Sequence, residues 1–176
     1  SLNSKIIVNG GVGVGFSEEG GVGISTLTSS FPMIDFLCDI YFETKDIKYL
    51  ELAEKIASFW IGIQGKTGLF PLQSDGKESF FDSETDMCVA LIKLHELTGT
   101  SIYKLASDRC FDGIMKYHAS RDYVLGVDIE NGEILNPTQR TKFIALFLKL
   151  LILKIKIEEG VKIYNNKALV SLLKDR

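Results

Sequence analysis

The sequence predicts a mainly α-helical protein in which antiparallel helical hairpins form two layers, with short β-hairpins at one end. Three observations indicate this fold. A similar segment recurs three times along the 176 residues, each copy joins a tight turn to a long apolar-periodic stretch, and a short polar turn then leads into a second helix. One hairpin cannot bury its own apolar face, so neighbouring hairpins must share a core.

The chain is interpreted as a single domain of three β-hairpin–helix–helix repeats, at about residues 14–67, 68–122 and 123–176. The turns of the second and third repeats are centred on Asp75-Gly76 and Asn131-Gly132, where glycine supplies the positive φ of a tight hairpin. The first helix of each pair is the more apolar, which places it in an inner layer. The apolar spacing and the flanking turns predict helices over 31–44, 47–63, 84–98, 101–117, 139–157 and 166–174.

The composition excludes several classes of function. A formal charge of −3 gives no electrostatic footprint for nucleic acid, and the most apolar stretch is too short to span a membrane. The chain has three cysteines, which is an odd number, and they lie among apolar residues. They therefore do not indicate a disulfide framework, and they favour a reducing compartment and a cytoplasmic location. His95 and His118 lack the spacing of a metal site, and we expect neither a metal nor a cofactor.

The segment from Phe80 to Thr98 and the glycine that follows it read FxDSxTDxxxALxKLxELTG. This pattern resembles the helical-hairpin repeat of α/α-toroid enzymes, the six-hairpin glycosidase-like superfamily. The nearest types are unsaturated glucuronyl hydrolases and N-acylglucosamine 2-epimerases. The resemblance implies that three hairpins form the C-terminal half of a two-layered ring, completed by a missing N-terminal half of a longer chain or by a homodimer partner.

The resemblance also implies a carbohydrate-active domain that acts on a uronic-acid-containing or other polysaccharide as a hydrolase, lyase or epimerase. Asp82 matches the catalytic aspartate that precedes an inner helix in the glucuronyl hydrolases, although the residues after it differ. Asp86 is the second catalytic candidate, since paired carboxylates serve glycosidic chemistry. The candidates for binding substrate lie in or beside the predicted β-hairpins and are Phe70, Phe80, Phe81, Tyr123 and Glu18.

Two alternatives stay open at this point. Acids at a helix start are also favoured by capping and by the helix dipole, an explanation that suits Glu84 and Asp86. The whole chain could equally be a non-catalytic helical-repeat module that uses the same rim, or an open apolar edge, for binding or dimerisation. The expected absence of membrane and nucleic-acid partners holds under both readings.

Overall fold

The computed structural model describes residues 7–8, 11–12 and 24–174. Six α-helices and five short strands make up this part of the chain. The helices are α1 Leu27–Thr44, α2 Ile47–Gly62, α3 Phe81–Thr98, α4 Ser101–Gly113, α5 Thr141–Glu158 and α6 Lys167–Lys174. The strands are β1 Ile7–Val8, β2 Gly11–Val12, β3 Glu78–Phe80, β4 Gly126–Asp128 and β5 Ile134–Asn136.

The first two helical hairpins turn in the same way. Thr44 and Thr98 each donate a side-chain hydrogen bond to the carbonyl four residues earlier, and each accepts one from the backbone N–H two residues later. Lys45 and Gly99 then follow in the left-handed region, with φ of 59° and 71°. This left-handed C-cap ends the first helix of each pair and reverses the chain.

Helix α3 lies at the centre of the molecule and is buried along most of its length. One side packs on α4, where Glu84 and Cys88 face residues of that helix. Its flanks pack on α1 and α5, which are its neighbours in the inner layer. Helices α1, α3 and α5 therefore form the inner layer, and α2 and α4 cover the first two from outside, as the sequence predicts.

The three-stranded sheet joins consecutive repeats. Strands β4 and β5 form the predicted hairpin around Gly132, whose φ is 76°. Strand β3 follows the turn at Gly76 but pairs with β4 of the next repeat, and an isolated bridge joins Thr26 to Gln73. All these strands lie where an inner helix begins, so the ribbons gather at one end. The first predicted turn, which includes Glu18, lies outside the described residues.

Two helix boundaries depart from the prediction because of this sheet. Helix α1 begins at Leu27, whose N–H donates to the carbonyl of Leu72, rather than near residue 31. Helix α3 begins at Phe81, whose N–H donates to the carbonyl of Leu125, rather than at residue 84. Strand contacts from distant parts of the chain thus set where the inner helices start. Helix α4 continues through a π turn and a 3-10 turn as far as Arg121.

Helix α6 contacts α5 but lies on the inner face, and not in the outer layer that its place as the second helix of the third repeat predicts. Leu173 shares a small cavity with Thr85 and Val89 of α3, and Leu172 shares a larger one with Phe31 of α1. At 3.6 residues per turn, Val89 is on the side of α3 opposite to Glu84, which faces α4. The inner layer is therefore covered by α4 on one side and by α6 on the other.

None of the helices in the described part of the chain is long and apolar enough to cross a membrane.

Candidate functional site

A groove of about 710 Å³ opens on the inner face, at the end where the inner helices begin. Its walls come from α1, α3, α5 and α6. The lining is apolar except for two acids, two lysines and two hydroxyl groups. The lining residues are Thr28, Phe31, Asp82, Ser83, Asp86, Lys142, Ala145, Leu146, Leu148, Lys149, Ile152 and Leu172.

Three residues at the mouth of the groove occupy equivalent positions in successive repeats. Thr28, Asp82 and Lys142 are each the second residue of an inner helix, and all three line the groove. The sheet contacts described above hold the helix starts together, so these three side chains converge. Asp82 thus reaches the groove because of its place in the repeat.

Both carboxylate oxygens of Asp82 have a partner. Oδ2 lies 2.8 Å from the Nζ of Lys142, and Oδ1 accepts a hydrogen bond of 3.1 Å from the N–H of Ser83. The carboxylate is about a quarter exposed and the lysine about half exposed. A ligand in the groove can therefore reach this ion pair. Lys142 was not predicted from the sequence; it occupies in α5 the position that Asp82 occupies in α3.

Asp86 lies one helical turn after Asp82 and lines the same groove. Residues four apart on a helix project from the same face, with Cβ atoms about 5 to 6 Å apart. Lys149 of α5 lines the groove with it. The structure therefore brings together the two acids that the sequence analysis selected and adds two lysines to them.

The aromatic candidates are placed differently. Phe70 and Phe81 are completely buried in the core and present no surface to a ligand. Tyr123 and Phe80 are half-buried and pack against that core, Tyr123 with its ring 5.9 Å from that of Phe81. The aromatic residue that lines the groove is Phe31, which the sequence analysis did not select. Glu18 is outside the described residues.

Glu84 is not a solvated cap acid but the centre of a buried polar network. Its Oε1 accepts a hydrogen bond of 2.8 Å from the N–H of Phe70 and lies 3.0 Å from the Oγ of Ser79, while Cys110 donates to Oε2 at 2.8 Å. Burial raises the pKa of Glu84 to about 8, against the lowering effect of these hydrogen bonds. The side chain therefore keeps its proton at neutral pH.

His118 extends the same network. Its Nδ1 donates to the carbonyl of Val124 at 2.8 Å, because a carbonyl can only accept, and its Nε2 lies 3.2 Å from the Oγ of Ser79. Burial lowers the pKa of His118 to about 4, so the ring is neutral at pH 7. The Ser79 hydroxyl can donate its one proton either to the Nε2 of His118 or to the carboxyl group of Glu84. When Glu84 is protonated, its O–H donates to the Ser79 oxygen and the Ser79 proton goes to His118, so both contacts are hydrogen bonds. This network lies in the core and faces no groove, which gives it a structural role.

His95 also makes a local contact, with Nδ1 3.0 Å from the carbonyl of Thr100 where α3 turns into α4. Among the residues that the structure describes, no three His, Cys, Asp or Glu side chains form a group that could hold a metal ion.

No protein-family model matches the sequence, and no curated protein matches it significantly. Solved structures do match. An α-mannanase of glycoside hydrolase family 76 from Bacteroides thetaiotaomicron superposes with a TM-score of 0.68 at 17% identity, over 98% of this chain and 50% of that one. A sugar epimerase from a ruminal bacterium superposes with a TM-score of 0.67 at 14% identity, over 94% of this chain and 46% of that one. The chain has the fold of half an α/α toroid.

A third match extends the comparison to a lyase. A family 10 polysaccharide lyase from Cellvibrio cellulosa, in complex with trigalacturonic acid, superposes with a TM-score of 0.55 at 17% identity, over 74% of this chain and 51% of that one. The half-toroid thus spans about half the length of the proteins that it matches. At these identities the likeness establishes the fold alone, and it confirms the architecture that the repeats predict.

Proposed function

We propose that the half-toroid is a carbohydrate-active domain that acts on a uronic-acid-containing or other polysaccharide, as a hydrolase, lyase or epimerase. The observation that carries the proposal is the position of Asp82 and Asp86, which line one groove at the end where the inner helices begin. The matched mannanase, epimerase and lyase act on sugars with the same fold, which supports the assignment.

The two acids lie four residues apart on one face of α3, and we assign them the two roles of a carboxyl pair. Asp82 forms an ion pair with Lys142, which suits a carboxylate that acts as a base or stabilises positive charge. We assign to Asp86, the second acid of the groove, the protonation of the leaving oxygen. Their Cβ separation, about 5 to 6 Å, is compatible with the carboxyl separations of glycosidases, about 5 to 9.5 Å. We assign no step to a metal or a cofactor.

Two features of the groove favour an acidic sugar. Lys142 and Lys149 line it, and a lysine ammonium group provides up to three donors for a uronate carboxylate. Phe31 provides an apolar wall for a sugar face. The matched lyase holds trigalacturonic acid, a chain of uronic acids, which supports the same substrate class.

The variant Asp82→Asn tests the catalytic assignment. We expect it to lower turnover by about 10² to 10⁴-fold, because an amide can neither accept the proton nor keep the charge of the carboxylate. Product release is measured on oligogalacturonides and mannooligosaccharides with the protein in full. Asp75→Asn is the matched control, since Asp75 lies at the same end of the fold but outside the groove.

Equal turnover by the Asp82→Asn and Asp75→Asn variants, with unchanged thermal unfolding, contradicts the catalytic assignment. Binding of a sugar by the wild type without any turnover favours the alternative, a non-catalytic binding module.

The open edges of the half-toroid support a finer proposal about partners. Ile144, Leu148 and Ile155 follow one flank of α5 and are 43%, 52% and 53% exposed, and Phe36 of α1 is 58% exposed. In a ring of six hairpins these flanks would contact the hairpins on either side. We propose that a second copy, or the N-terminal half of a longer chain, covers them and completes the ring.

The mass of the protein in solution distinguishes a second copy from the N-terminal half of a longer chain. If a second copy completes the ring, the wild type is expected at twice the chain mass of 19.6 kDa, and Ile155→Asp, outside the groove, at the chain mass, because a buried unpaired carboxylate opposes the contact. Lys55→Asp, on the outer helix α2, serves as the control charge change and should leave the mass unchanged. A wild-type monomer contradicts the second copy and leaves the longer chain as the source. We also propose a cytoplasmic location, which the three free, buried cysteines support.

A further inference from the structure

Residues 159–174, which we name the strap, cross the inner face of the half-toroid and end in α6. Leu172 of α6 forms a wall of the groove that holds Asp82 and Asp86. Leu173 lies deeper, beside Val89 of α3. The strap therefore covers part of the groove.

Polar contacts and one buried side chain, Ile163 at 0% exposure, hold the beginning of the strap. Glu96 of α3 accepts two backbone hydrogen bonds, from the N–H of Ile163 at 2.6 Å and from the N–H of Tyr164 at 3.0 Å. The Tyr164 hydroxyl donates to Asp39 of α1 at 3.1 Å, and its ring stacks on Phe42 with centroids 4.5 Å apart. We name this set of contacts the latch.

The latch rests on a rigid ion cluster in the inner layer. Lys93 of α3 is almost completely buried and contacts Asp35 at 2.6 Å and Asp39 at 3.0 Å. These ion pairs fix Asp39 for the Tyr164 hydroxyl and join α1 to α3 under the strap. Asp39 therefore keeps its position even when Tyr164 moves away from it.

The remainder of the strap is weakly packed. Helix α6 has eight residues, and a helix of this length is not stable in water without tertiary contacts. Leu169 and Leu173 are its buried side chains among those that the structure describes. The groove beside Leu172 still contains about 710 Å³ of open space, so α6 does not fill it.

We propose that the strap is a gate that closes the groove in the resting protein and opens when the latch at Glu96 is released. The closed position is the one described here. The effect of the gate on catalysis rests on the proposed function, but the motion itself does not.

Thiol labelling of the full chain measures the opening. In Val89→Cys the new thiol lies under the strap, whereas the native thiol of Cys110 on α4 lies between α3 and α4, where it contacts Glu84. Both positions are buried, with 5% exposure at Val89 and 0% at Cys110, and peptide mass spectrometry reads the label at each of them separately. We expect the Val89→Cys thiol to react with N-ethylmaleimide at least tenfold faster than the Cys110 thiol, with a weaker dependence on urea, because local opening exposes little surface.

Removing the latch gives the decisive comparison. Adding Glu96→Ala is expected to raise the labelling rate of Val89→Cys by about ten- to hundredfold, since two hydrogen bonds to a carboxylate are lost. The rate of Cys110, which is completely buried and reports global unfolding, should change by less than threefold. Glu51→Ala, at an exposed position of α2, is the control for the charge change.

Equal labelling rates at Val89→Cys and Cys110, with the same urea dependence in both backgrounds, would overturn the gate, because α6 would then be a permanent part of the core. Faster labelling of both thiols in Glu96→Ala would overturn it as well, since it would report general destabilisation. If a sugar substrate is turned over, Glu96→Ala should raise the rate. A protein with a mobile strap and no turnover contradicts the proposed function but supports the gate.

Discussion

The variant Phe81→Ala is expected to lower the free energy of unfolding by about 3 to 5 kcal/mol, the cost typical of removing a buried phenylalanine. Phe81 is completely buried where the sheet joins α3, and its ring has aromatic neighbours on several sides. The centroid distances are 5.2 Å to Phe143, 5.6 Å to His118 and 6.1 Å to Phe147. Residues from two repeats cannot all move into the cavity that alanine would leave.

Urea unfolding followed by the fluorescence of Trp60, which is the single tryptophan and is buried, measures this change. Phe36→Ala is the matched control: the same atoms are deleted at a site that is 58% exposed, where a change within about 0.5 kcal/mol is expected. A loss of under 1 kcal/mol for Phe81→Ala would show that this ring does not organise the core. That result would contradict the packing described here.

The second large effect concerns pH. Burial raises the pKa of Glu84 in the folded protein to about 8 from an ordinary value of 4.5. The contribution of this group to stability is therefore fully present below about pH 4.5 and is lost as the pH rises toward 8, because the unfolded chain releases the proton first. Between pH 5 and pH 8 this loss amounts to roughly 3 kcal/mol, at 1.4 kcal/mol per pKa unit.

Glu84→Gln should remove this loss, since the glutamine amide carries N–H donors and does not titrate. We expect the stability difference between variant and wild type to move by roughly 3 kcal/mol in favour of the variant from pH 5 to pH 8. His118, whose lowered pKa makes both proteins less stable as the pH falls from 6.5 toward 4, cancels in this difference. Urea unfolding at four pH values measures it, with the exposed Glu133→Gln as the control. A pH-independent difference would mean that Glu84 is ionised in the folded protein.

The sequence predicts the helices well but misplaces the starts of α1 and α3, for a physical reason. The apolar spacing within α3 and the Thr98-Gly99 turn are local features, and they determine the body and the end of that helix. The start at Phe81 depends on a hydrogen bond to Leu125, which lies in the next repeat. Ser83, which has the spacing of a cap, consequently falls inside the first turn.

The residues of the candidate site likewise fall into those that the sequence identifies and those that only the packing of the helices places there. The family resemblance identifies Asp82, and Asp86 follows as the second acid of a carboxylate pair at the end with the ribbons. Lys142 and Phe31 belong to other repeats, and their approach to the acids depends on how the inner helices pack. The burial of Phe70 and Phe81 likewise depends on which side of the ribbon meets the core. The position of α6 depends on the hydrogen bonds of the latch at Glu96, and no local sequence pattern predicts these bonds.

The pairing of β3 with β4 also limits how such a chain can be divided. A protein made of independent repeats can lose one unit and keep the others folded. Here a cut near residue 122 would remove β4 and leave the backbone of β3 without its partner. An unpaired strand edge promotes association with other chains, so a shortened fragment of this protein would tend to aggregate rather than behave as a smaller domain.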